Sequence, residues 1–149
     1  MAEHGALVMR VCRALVGTVD AADAWSETFL SALQAYPRLR AGSNIRAWLV
    51  TIAHRKAIDQ LRAAARRREP PIEAPQLAAP EPAPAADEDL SIALDSLPPK
   101  QRGAVIYRYL GGLSYAEIGK LLGSNATAAR RSAADGIANL RKRFSKGTP

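Results

Sequence analysis

Leu113-Ser114-Tyr115-Ala116-Glu117-Ile118-Gly119-Lys120-Leu121-Leu122-Gly123-Ser124-Asn125 is the stretch on which the reading of this chain turns. Ser114 is a good N-cap, and Glu117 three residues later completes a capping box. Leu113 before the cap and Ile118 at the fourth helical position can pair as a hydrophobic staple. Gly123 stops the helix where a left-handed residue is cheap. Ser124 or Asn125 then caps a second helix, which carries Arg130 and Arg131. Gly119 has no side chain where that second helix would cross, so the two backbones can approach closely. A short helix, a tight turn and a basic second helix follow the helix-turn-helix plan for placing side chains in the DNA major groove. A plain helical hairpin is the competing reading.

Outward from this motif, helical spacing and Gly/Pro punctuation divide the rest of the chain. Residues 6–16 form a first helix, with Leu7, Val8, Val11, Cys12 and Leu15 on one side, and Gly17 ends it. Asp20 or Asp23 opens a second helix carrying Trp25, Phe29, Leu30 and Leu33 at helical intervals, and Tyr36-Pro37 stops it. A loop with Arg38, Arg40 and Gly42 follows, and Ser43 or Asn44 caps a long third helix to about residue 67. There Ile45, Trp48, Leu49 and Ile52 face one way and Ala57, Ile58 and Leu61 drift to another, which predicts packing from more than one side. Six prolines between Pro70 and Pro84, with almost no large apolar residues, predict an extended linker that cannot bury enough surface to fold. At about 3.1 Å per residue it would span roughly 60 Å. A helix from Glu88 to Ser96 follows, then one opened by Pro98-Pro99, with Val105, Ile106, Tyr109 and Leu110 on its core face and Gly111-Gly112 at its end. No segment alternates like a strand. The fold class is all-α.

Charge is partitioned along the chain. Residues 1–69 hold 11 Lys/Arg against 6 Asp/Glu, residues 70–87 hold none against 3, and residues 88–149 hold 10 against 5. Two basic blocks flanking an acidic spacer suit contact with a polyanion, although a solvated surface would look the same. Cys12 is the only cysteine, which leaves no disulfide framework and no Cys-based metal cluster; its neighbours predict a buried apolar role. His4 and His54 stand apart from any nucleophile, no Gly-rich phosphate cradle appears, and carboxylates do not cluster, so an enzyme is not expected. Neither a cofactor nor a small-molecule substrate is expected. The absence of a long apolar run or a signal-peptide profile predicts no membrane association and a cytoplasmic location.

Two segments resemble a known family. Asp20 to Leu30 continuing through Asn44 to Arg62 is similar to region 2 of the bacterial sigma-70 family, and Leu97 to Arg102 with Tyr109 to Gly123 is similar to region 4. In that order, split by a spacer, they resemble an extracytoplasmic-function (ECF) sigma factor. The resemblance implies two small helical domains: a three-helix region 2 over 1–68 and a four-helix region 4 over 88–149, joined by a Pro/Ala-rich disordered linker over 69–87. It implies a transcription initiation factor without catalysis of its own. Region 2 would dock on the clamp coiled coil of core RNA polymerase and help open the −10 promoter element. Region 4 would bind the −35 element as duplex and rest on the polymerase flap. An anti-sigma protein is a further expected partner.

On this resemblance, Asp23, Ser26 and Glu27 would meet polymerase, carboxylates on an exposed helix face being suited to Arg on a partner. Ser26 stands where the family usually has Gln. Arg38, Arg40, Arg46 and Arg55 would hold single-stranded phosphate around the −10 element, with Ser43 and Asn44 reaching base edges. Trp48 could stack on a base, but its spacing favours the core. Asp59 is expected to pair with Arg62 or Arg55. Thr127, Arg130 and Arg131 lie early on the recognition helix, where Arg suits guanine O6/N7, and Ser132 can touch phosphate. Arg141, Lys142, Arg143 and Lys146 form a basic tail. Ala128-Ala129 replaces the family's usual Thr-Val pair, and Asp135 and Gly136 stand where basic or small residues are common. That departure favours a runner-up: a sigma-like decoy that binds an anti-sigma protein without engaging promoters. A dimeric helix-turn-helix repressor is a third reading, opposed by the first domain and its Asp23–Glu27 face.

Overall fold

The computed structural model describes residues 2–67 and 85–146, and among them all regular structure is helical. Seven α-helices follow in order: α1 (Ala2–Val16), α2 (Ala21–Ala35), α3 (Ile45–Arg66), α4 (Ala85–Asp95), α5 (Pro99–Val105), α6 (Tyr115–Leu121) and α7 (Ala126–Lys146). A 3-10 turn, Tyr36–Arg38, follows α2, and α5 runs on into a π-turn, Ile106–Leu110. Of the expected linker, residues 69–84 lie outside the described residues, while 85–87 already belong to α4.

The helix ends follow from local chemistry. Gly17, at φ +85°, takes the left-handed turn after α1. Asn44 resolves the choice of cap for α3, its Oδ1 accepting from the Ala47 N–H at 3.2 Å. Pro99 opens α5 in the first turn, where its missing N–H costs nothing.

α1, α2 and α3 pack on one another around Val8, Cys12, Ala21, Ala24, Ala32, Leu49, Ile52 and Ala53. The indole Nε1 of Trp25 donates to the Gly5 carbonyl at 2.9 Å, tying α2 to α1. α2 turns Ala21, Ala24, Thr28 and Ala32 inward, so Leu30 and Leu33 point out, 61% and 59% exposed. Small residues on the inner stripe let α2 approach its neighbours closely, and that approach sets the helix's rotation. Ile45 and Leu61 on α3 are exposed for the same kind of reason, Ala47, Val50, Ala53 and Ala57 taking the packed sides. Asp59 forms no ion pair with Arg62 or Arg55; the one ion pair among the described residues joins Arg102 to Asp95 at 3.0 Å.

The second half is built on α5, which crosses α7 where Gly136 leaves room. A Cβ there would lie 2.6 Å from a Val105 methyl. The π-turn closes with Gly111 N–H donating to Ile106 O at 3.0 Å. Its extra residue shifts the helical register, so Tyr107 is buried where the spacing predicted Tyr109, which is 58% exposed.

The two halves do not stand apart. A single apolar cluster contains Val11, Ala14, Ala47 and Val50 from the first half and Leu94, Tyr107 and Leu113 from the second.

Candidate nucleic-acid interface

The motif that opened the reading forms as drawn. Ser114 Oγ accepts from the Glu117 N–H at 3.1 Å, and Glu117 Oε1 accepts from the Ser114 N–H at 3.0 Å. Leu113 and Ile118 are fully buried in the same cluster, as the staple requires. Gly123 has φ +70°. Asn125 caps α7, its Oδ1 accepting from the Ala128 N–H at 2.9 Å. A Cβ on Gly119 would sit 2.6–2.8 Å from the Asn125 backbone, so α6 meets the start of α7 at a distance only glycine permits.

α7 turns Ala129, Ala133, Gly136 and Leu140 inward. This is the structural meaning of Ala129: its small side chain, 2% exposed, lets the recognition helix lie close to α5 and α6. Thr127, Arg130, Arg131, Asp135, Arg141, Lys142 and Arg143 are exposed, and Ser132 is half-buried. The Arg130 guanidinium lies 5.2 Å from the Tyr115 ring centroid and that of Arg108 lies 4.4 Å from it. Such contacts hold a cation without neutralising it. Arg108 Nη1 also donates to Leu113 O at 3.1 Å. Tyr115 thereby organises two cations at the N-terminal end of the motif, a role that sequence reading missed. Its signal was an aromatic residue placed directly after the N-cap.

The −10 candidates gather on the α2–α3 loop and on α3. Arg38, Arg40, Asn44, Arg46 and Arg55 are exposed. Ser43 is half-buried and its hydroxyl donates to Arg40 O at 2.6 Å, so it shapes the loop. With Asn44 Oδ1 engaged in the cap, its amide NH2 is the part left for a ligand. Arg46 lies against the second half: a Cβ on Gly112 would come 2.9 Å from its Cζ. Trp48 is half-buried against the first-half core, the structural reading of that residue. His54 hydrogen-bonds through Nδ1 to the Tyr107 hydroxyl, with the rings edge-on at 75°. Burial first, and the charge of Arg55 second, hold its pKa below the ordinary imidazole value. Burial likewise pushes the Tyr107 phenol well above its usual range.

Asp23, Ser26 and Glu27 are exposed on one face of α2, which continues through Leu30, Leu33 and Gln34. That face is acidic at one end and apolar at the other. The leucines were missed as surface residues; the Ala/Thr stripe at 21, 24, 28 and 32 was the available sign that they turn outward.

Comparison with known proteins decides the family. Residues 1–67 match the description Sigma-70 region 2, and residues 88–140 match Sigma-70, region 4. RNA polymerase sigma factor CarQ of Myxococcus xanthus is 36% identical over 129 residues, covering 82% of this chain and 73% of CarQ. The chain belongs to the ECF sigma factors of the sigma-70 family. ECF RNA polymerase sigma factor SigD of Mycobacterium tuberculosis is 38% identical over 141 residues, which is 83% of this chain. The matched region spans 65% of the length of SigD. Among solved structures, the sigma factor RpoE in complex with the anti-sigma factor NepR from Bartonella quintana superposes with a TM-score of 0.79 at 21% identity, covering 97% of this chain and 93% of that one. The fold shared with RpoE thus includes both halves of this ECF sigma factor. Among the described residues no helix is long and apolar enough to cross a membrane.

Proposed function

We propose that this ECF sigma factor binds core RNA polymerase in the cytoplasm and directs it to a promoter with −10 and −35 elements, without catalysis of its own. The observation that carries the reading is the exposed Thr127–Arg130–Arg131 edge of α7, held by a fully formed helix-turn-helix. The acidic and apolar face of α2 supports polymerase docking, with Asp23 and Glu27 meeting cations on the clamp and Leu30 and Leu33 adding area. Arg38, Arg40, Arg46 and Arg55 form the cationic surface for the −10 strand, and the basic end of α7 serves phosphate or the flap. Residues 1–68 and 88–149 act as the two working domains.

An anti-sigma partner belongs to the same reading, since the solved relative RpoE was captured with NepR. A decoy role without promoter binding draws on one observation, the exposed carboxylate of Asp135 on the recognition helix. Run-off transcription with core enzyme on randomised promoter templates separates the two. Enrichment of a two-part sequence is expected. No enriched sequence from a folded, polymerase-bound protein would favour the decoy.

A further inference from the structure

We infer that Asp135 selects a cytosine in the −35 element, its carboxylate accepting a hydrogen bond from the cytosine amino group close to the guanine met by Arg131. This rests on the promoter reading above and adds a sequence preference to it.

The rotation of α7 decides which of its side chains can reach a duplex. Ala129, Ala133, Gly136 and Leu140 form its buried side, and α7 packs on α5 and α6. Gly136 fixes the angle, since a Cβ there would lie 2.6 Å from a Val105 methyl and 3.3 Å from the Gln101 carbonyl oxygen. At about 100° per residue, Arg131 then points nearly opposite the buried stripe, and Asp135 lies about 40° round from it on the outward face. Thr127, Ala134 and Ala138 share that face and are exposed. Arg130 flanks it on the side of Tyr115. Apart from Arg131 the outward face thus carries only short side chains. The helix can settle close to the base edges, near enough for the short carboxylate of Asp135 to touch one.

The carboxylate is free for such a contact. Among the described residues no hydrogen bond or ion pair engages it, the one ion pair there being that of Arg102 with Asp95. Arg131 stands four residues before it, and basic before acidic is the less favourable order for pairing along a helix. A base-edge donor is what offsets the repulsion that this charge meets from phosphate.

Base chemistry selects the partner. An ionised carboxylate only accepts hydrogen bonds. In the major groove guanine offers acceptors, thymine an acceptor and a methyl group, and adenine sets its amino donor beside the N7 acceptor. Cytosine alone presents a donor with no acceptor of its own beside it. The rise from residue 131 to residue 135 is about 6 Å at about 1.5 Å per residue. Against a stacking distance of about 3.4 Å, that places the cytosine within about two base pairs of the guanine met by Arg131.

Run-off transcription by the polymerase-bound full chain, on templates randomised in the −35 element, tests this with wild type, Arg131→Ala, Asp135→Ala and Asp135→Asn. Wild type should enrich a guanine that Arg131→Ala no longer selects, with a cytosine within about two base pairs of it. Asp135→Ala should reduce the preference for that cytosine at least about fivefold and leave the other positions as they were. Asp135→Asn should move the preference there to adenine, whose N6 and N7 suit asparagine. Unchanged preferences in both Asp135 variants overturn the inference. So does a uniform rise in transcription from every template with Asp135→Ala, the signature of a charge that only repels phosphate. Helical circular dichroism checks the fold of each variant. Should the variants lose it, wild type alone decides, because a selected promoter without such a guanine and cytosine refutes the Asp135 assignment while leaving the promoter reading intact. If wild type transcribes from no template, the promoter reading fails and the assignment with it.

Discussion

Gly119→Ala tests the close approach inside the helix-turn-helix. In an open helix the substitution would stabilise, because alanine's propensity exceeds glycine's by about 1 kcal/mol. Here the added methyl would lie 2.6 Å from the Asn125 carbonyl carbon and 2.8 Å from its Cα and oxygen. All three are backbone atoms, and Asn125 is pinned by its cap to Ala128 and by the Ala129 N–H donating to its carbonyl at 2.9 Å. Nothing there can rotate aside. Overpacking of this kind costs about 1–3 kcal/mol, and the rigidity of the neighbour places it near the upper end. The net destabilisation is then about 1–2 kcal/mol, which for about 150 residues lowers Tm by about 2–8 °C. Thermal circular dichroism measures it, with anisotropy on a −35 duplex reporting the displaced recognition helix. Gly123→Ala is the comparison: nothing lies within 4 Å of that site, so its cost comes only from φ +70° and is about 1 kcal/mol. If Gly119→Ala raises Tm as an exposed helical glycine would, the close-approach argument is wrong.

Three further expectations follow from the same geometry. Ser114→Ala, which removes the cap on the Glu117 N–H, should cost about 1 kcal/mol of stability, measured by urea denaturation, whereas Glu117→Gln keeps an acceptor and should cost less. The Cys12 thiol is pushed from 9.0 to about 11 by burial, opposed by a hydrogen bond with Thr28. Its contribution to stability is present below pH 9, where neither state is ionised, and is lost as pH rises toward 11 because the unfolded thiol ionises first. Urea midpoints between pH 8 and 10.5 should therefore fall more steeply for wild type than for Cys12→Ala, and parallel curves would contradict the shift. Arg130→Ala should weaken −35 duplex binding by about 1–3 kcal/mol in anisotropy titrations, with little change in Tm because the residue is exposed. Unchanged affinity would remove Arg130 from the reading set.

Much of this protein was legible in one dimension because its decisive interactions are local. The capping box, the staple, the glycine turn and the Asn125 cap join residues within five positions of one another, so order along the chain is enough to read them. The all-α class, most helix ends and the exposure of Thr127, Arg130 and Arg131 follow from the same short-range rules. The α2 surface proposed to meet polymerase was only partly legible: Asp23, Ser26 and Glu27 were named, but Leu30 and Leu33 were grouped with Trp25 and Phe29 on one apolar stripe. Helical periodicity marks a stripe without saying whether bulky or small residues turn inward. That choice depends on how closely α1 and α3 approach, and an alanine stripe wins where backbones are near. The π-turn at Ile106–Leu110 is another tertiary result, since exchanging Tyr109 for Tyr107 inside depends on packing against α1 and α6. The joining of the halves was least legible of all. Arg102 reaches carbonyls 87 and 88 positions away, and His54 meets Tyr107 across 53. Contacts at such separations leave no periodic trace, because they depend on which surfaces remain uncovered once each helix has already formed.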